Sequence, residues 1–155
     1  MNATAAAQER SGIGAGIYAG LFLTTLSTLM YEVLLTRIFS VTMWYHFAFV
    51  AVSVALFGLT VGALIVHLAP GRFPPERTRE RLSQAALLFS LTTVASFATQ
   101  LLIPFQPEWT PLAVYSVALT YLIISVPFVF SGIAVCLSLT RFPRQVSRLY
   151  AADLV

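Results

Sequence analysis

Lysine is missing from this chain, cysteine occurs once, histidine twice, and only six carboxylates are spread over 155 residues. Each shortage removes a class of chemistry. A single cysteine excludes an intrachain disulfide, and Cys136, in the middle of an apolar run, reads as a small packing residue. His46 and His67 stand twenty-one residues apart in one apolar run, about 31 Å along a helix axis, so they cannot clamp one haem. A single imidazole at His46 could still touch a pigment or a haem whose other ligand is external, while an interfacial histidine is the ordinary alternative. No HExxH, GxSxG, GxxxxGK[ST] or CxxC occurs, and no GxGxxG follows a strand. No catalytic residue, metal set or resident cofactor is expected from these residues; bound lipid is.

What the chain has instead is apolar length. Hydrophobic residues make up 58% and charged residues 10%, with a mean hydropathy of +0.84, outside the range of an ordinary soluble domain. Four stretches, Gly12–Thr36, Trp44–Ala69, Leu82–Ile103 and Leu112–Leu139, are each long enough to cross a ~30 Å hydrocarbon core at ~1.5 Å per residue. No period-2 alternation of the kind a membrane barrel needs is present. The expected fold is an all-α integral membrane bundle of four transmembrane helices, one domain over residues 1–155 with no soluble part. The first stretch outruns the 7–15 residues of a signal-peptide core and no small-x-small site follows it, so a retained helix is expected.

Arginine sets the expected orientation. Arg10, Arg72, Arg77, Arg79, Arg81, Arg141, Arg144 and Arg148 fall on one side of a four-span chain and Arg37 alone on the other. Basic loops mark the cytoplasmic face, so both termini are expected in the cytoplasm of a bacterium, the chain lying in the inner membrane. The pI near 9.4 then needs no nucleic acid. The segment from Arg72 to Arg81 is interleaved with Glu76 and Glu80 and lies between two spans, which suits anionic lipid headgroups. Trp44 and Trp109 fall at the opposite interface as anchors, and Pro104, Pro107 and Pro111 bracket the turn there.

Within the spans, small residues recur at helical spacing. Gly12, Gly16 and Gly20 form one strip, and Ala51, Ala55, Gly58 and Gly62 another; such strips let helix backbones meet where no hydrophobic effect drives association. Pro127 removes a donor to the carbonyl of Ile123 and is expected to bend the fourth helix. Glu32 and Arg37 form an intramembrane polar pair at the end of the first span. Their five-residue spacing puts them about 140° apart around a helix, so each can pair with the other at a stretch or with a group on another helix.

Three segments together carry a family resemblance. They are Tyr31-Glu-Val-Leu-Leu-Thr-Arg-Ile-Phe-Ser, then Trp44-Tyr-His-Phe-Ala-Phe with Ala55-Leu-Phe-Gly-Leu-Thr-Val-Gly-Ala63, and finally Pro127-Phe-Val-Phe-Ser-Gly132 with Arg148-Leu-Tyr-Ala-Ala-Asp-Leu-Val155. From about residue 17 onward the chain resembles the N-terminal membrane region of bacterial membrane-bound spermidine-synthase-like proteins. The resemblance implies further helices and then a Rossmann-like aminopropyltransferase or methyltransferase domain. The match ends before that domain, at what looks like the start of a fifth helix, so no catalytic residue of the family has a position here. The expected function is a non-catalytic accessory subunit that packs beside other transmembrane subunits of a larger complex, with membrane lipids as further partners. A photosynthetic or respiratory host is the class considered for such a subunit. The alternatives are the membrane anchor of a spermidine-synthase-like enzyme, or a small carrier using Glu32 and Arg37.

Overall fold

A computed structural model of the chain describes residues 15–42, 46–102 and 111–141. Four helices carry nearly all of them: α1 (Ala15–Thr42), α2 (His46–Leu68), α3 (Thr78–Leu102) and α4 (Pro111–Arg141). All four are long and apolar enough to cross a membrane, and the described residues contain no strand. Two 3-10 turns, Pro70–Arg72 and Pro75–Arg77, join α2 to α3. Each begins with a proline, whose fixed φ suits a tight helical turn.

The helix ends depart from the hydropathy reading in a consistent way. α1 runs six residues past Thr36, through Arg37 to Thr42. A single charge does not stop a helix that meets no Gly or Pro, and in an apolar setting the backbone gains by continuing its own hydrogen bonding. Glu32 is therefore well inside α1, ten residues short of its end, about 15 Å along the axis. α3 likewise starts at Thr78, because Thr-Arg-Glu-Arg forms its charged first turn; the Thr78 hydroxyl donates back to the carbonyl of Pro75 at 2.9 Å. α4 opens on Pro111, a favoured first helical residue, and continues unbroken through the buried Pro127.

Contacts fix an up-down-up-down order. Gly58 lies against Phe128 and Ser125, and Gly62 against Ile133, so α2 and α4 run parallel. Thr28 bonds Ser131 and Tyr31 stacks on Phe128, so α1 runs against α4. The connection from α2 to α3 and the end of α4 share one end of the bundle, which carries Arg72, Arg77, Arg79, Arg81 and Arg141. Arg37 sits toward the far end. At the basic end Arg141 donates to the carbonyl of Phe73 at 2.6 Å, tying α4 to the connection.

The central element is α4. Just over half of its span is buried, 56%, against 28%, 28% and 17% for α1, α2 and α3. Two clusters divide the interior along its length. Toward the far end Tyr31, Leu35 and Phe39 of α1 meet Ala51 and Ala55 of α2 and Ile124 and Phe128 of α4. At the basic end Val66, Ala85, Ile133, Ala134 and Leu137 join α2, α3 and α4 without any residue of α1. The first half of α1 packs outside these two clusters, through the buried Ile17, Leu21 and Thr24.

Candidate functional site

The tightest packing lies between α2 and α4. A methyl group placed on Gly58 would stand 2.6 Å from the Phe128 Cβ, and one on Gly62 would stand 2.8 Å from the Ile133 nitrogen. Gly132 faces back onto the Leu59 backbone, where a methyl would stand 2.9 Å from the Leu59 carbonyl carbon. These distances are below any real carbon contact, so the two backbones touch there only because three side chains are absent. Ala51 and Ala55 extend the same seam as fully buried residues. The second small-residue strip is thus an internal packing face. Gly132 completes it from α4; its signal in the sequence is the run of small residues Ser125, Ser131, Gly132 and Ser138 along one apolar helix.

The first strip behaves differently. Gly16 and Gly20 have no atom within 4 Å of where a side chain would begin, and both are exposed; Gly12 lies outside the described residues. Both line a groove of about 230 Å³ between α1 and the α3/α4 pair, together with Thr24, Ser83, Ala134, Ser138 and Arg79. None of the described residues occupies the glycine face.

On the other flank of α1, toward α2, lies a larger cleft of about 500 Å³. Its floor is the α4 surface around Ser131, Gly132 and Val135, its sides are Leu59 and Ala63 of α2 and Thr25, Thr28 and Glu32 of α1. Glu32 is half-buried and, among the described residues, makes no hydrogen bond or ion pair. Arg37 is exposed and is not bonded to it. The spacing that sets the two about 140° apart on one helix accounts for this.

Two hydroxyl pairs hold α1 over its neighbours between these openings. Thr28 and Ser131 are 2.7 Å apart and both buried. The Tyr31 and Ser96 hydroxyls, 3.0 Å apart, tie α1 to α3. Neither pair is visible in a hydropathy trace, because Ser and Thr score as neutral there whichever way they face. Other hydroxyls of α1 bond back to their own helix: Thr24 donates to the Gly20 carbonyl at 2.8 Å, and Thr25 to those of Leu21 and Phe22 at 3.1 Å. Such bonds let polar side chains stay in apolar helices.

Of the remaining expected positions, His46 opens α2, but its side chain is outside the described set, as are Trp44 and Trp109. His67 is exposed in the last turn of α2, at the basic end. Cys136 is partly buried and points its sulfur at the Ala63 carbonyl, 3.9 Å away. Among the described residues no three His, Cys, Asp or Glu side chains gather as a metal-ligand set. No family model, no curated protein and no solved structure matches this chain.

Proposed function

We propose that the chain is a membrane-embedded packing subunit: four spans in the bacterial inner membrane, basic end in the cytoplasm, acting by contact with transmembrane helices outside itself and not by chemistry of its own. The observation that carries this is the glycine face of α1. An internal strip of small residues, Gly58, Gly62 and Gly132, is used fully, whereas Gly16 and Gly20 present the same backbone-exposing surface to open space. Lipid offers no reason for glycine there, since a larger apolar side chain would fill the surface and favour the helix by about 1 kcal/mol. A second helix does, because it can approach at backbone distance.

The shape of the bundle favours the same reading. The basic-end apolar cluster contains no residue of α1, and a groove lies between the glycine flank of α1 and the α3/α4 pair. Arg79 and the neighbouring charged turn of α3 suit the cytoplasmic headgroup layer. The resemblance to the membrane region of spermidine-synthase-like proteins is compatible with this role, since there too such helices would serve to pack and to anchor.

Gly20→Leu separates this from a self-sufficient bundle. The variant is expected to keep the melting temperature of the purified chain yet to lose co-migration with its partners in mild detergent. Unchanged co-migration for both Gly16→Leu and Gly20→Leu would refute the packing role of that face.

A further inference from the structure

We propose that the cleft between α1 and α2 is a binding site for a lipophilic ammonium, an amphiphile with an apolar body and an N–H-bearing cationic head, paired to Glu32. The inference does not rest on the packing role, because it concerns the opposite flank of α1 and can be read on the isolated chain.

Three features of the cleft lead there. Its volume, about 500 Å³, is that of a site for one small molecule and not for a whole helix. Its floor is apolar, formed by Gly132, Val135 and Leu139 of α4. Glu32 borders it as its only acidic residue, without a partner among the described residues.

Hydrogen-bond direction then selects the ligand. Every hydroxyl of the lining has already spent its proton. Thr25 donates to the Leu21 and Phe22 carbonyls, Thr28 to the Thr24 carbonyl at 2.7 Å, and Thr140 to the Cys136 carbonyl at 2.7 Å. With the Thr28 proton committed, Ser131 is the donor in the Thr28–Ser131 pair. What remains toward the cleft is lone pairs on Thr25 and Thr28 and the carboxylate oxygens of Glu32. Such a site has acceptors to offer and no donors, so it takes a group rich in N–H and poor in acceptors. An ammonium also supplies the charge that an ionised carboxylate at this depth requires. Arg37 cannot supply it, being exposed on another face of α1. A zwitterionic phospholipid fits poorly, since its phosphate would follow the ammonium into a cleft that has no cation among its described lining residues.

The test uses the purified full chain in a non-ionic detergent with dodecylammonium as probe and dodecanol as the neutral match. Dodecylammonium is expected to raise the melting temperature saturably and dodecanol to leave it unmoved. Glu32→Gln is expected to weaken the apparent affinity about ten- to a hundredfold, the scale of one charge-assisted bond. Val135→Trp fills the floor while leaving Glu32 in place, and is expected to abolish the shift. A third readout needs no substitution. A hydrophobic carbodiimide should label Glu32, and dodecylammonium, unlike dodecanol, should protect it. Equal shifts from both probes, or equal labelling of Glu32 with and without dodecylammonium, would overturn the proposal.

Discussion

At the residue scale, glycines that look alike in sequence divide by what stands opposite them. Gly58, Gly62 and Gly132 hold two backbones in contact, while a side chain at Gly16 or Gly20 would meet no atom within 4 Å among the described residues. Gly58→Leu is expected to destabilise the isolated bundle by at least about 1–3 kcal/mol, since the neighbouring Phe128 Cβ and Ser125 carbonyl belong to a helix that cannot yield cheaply. Gly16→Leu is expected to be neutral or slightly stabilising, as an open helical glycine gives up about 1 kcal/mol of propensity. Thermal unfolding of the two purified variants side by side measures the contrast, and equal losses would contradict the register of α2 on α4. The sequence shows both strips and their spacing, yet nothing in it says which strip is used internally, because that depends on the rotation of each helix about its own axis.

The element scale turns on how α1 is held. Its buried polar ties are the Thr28–Ser131 and Tyr31–Ser96 pairs, and its apolar hold comes from Tyr31, Leu35 and Phe39 in the far-end cluster and from the buried Ile17 and Leu21 nearer the basic end. A double-mutant cycle of Thr28→Val with Ser131→Ala is expected to give a coupling of about 0.6 kcal/mol, and no more than about 1.7, the range of such bonds between membrane helices. A coupling near zero would mean that the pair does not carry α1. Helix existence and order were legible from apolar length alone. The ends were not, since a hydropathy window stops at Arg37 and at Leu82, whereas the backbone continues through charged residues that have good helix propensity. Glu32 changes meaning with that correction: it is not a helix-end residue paired with Arg37 but a lone carboxyl on the wall of a cleft.

Orientation belongs to the same scale. The bundle gathers Arg72, Arg77, Arg79, Arg81 and Arg141 at one end, and that end is expected to face the cytoplasm. In a Cys136→Ser background, a membrane-impermeant thiol reagent added to intact cells should spare Gly71→Cys, at an exposed position with open space around it, and modify Glu108→Cys. The reverse labelling pattern would invert the topology.

For the whole molecule, the unequal burial of the four helices is the informative property. α4 is enclosed by its neighbours, while α1, α2 and α3 turn most of their surface outward. The outward surfaces of α1 and α3 differ in one respect. α3 exposes Leu87, Leu91 and Val94, a branched apolar surface suited to lipid chains, whereas α1 exposes similar residues such as Leu23, Met30 and Leu34 and, in its first turns, also Gly16 and Gly20, which line a groove. Composition predicts four spans and cannot separate these surfaces, because it does not say which way a residue on a helix faces. The most direct measurement places a photo-crosslinking residue at position 20, and in a second variant at position 91, and irradiates native membranes. The expected result is a polypeptide adduct through position 20 and lipid adducts alone through position 91. Lipid adducts alone at both positions would contradict a role in packing against other membrane helices.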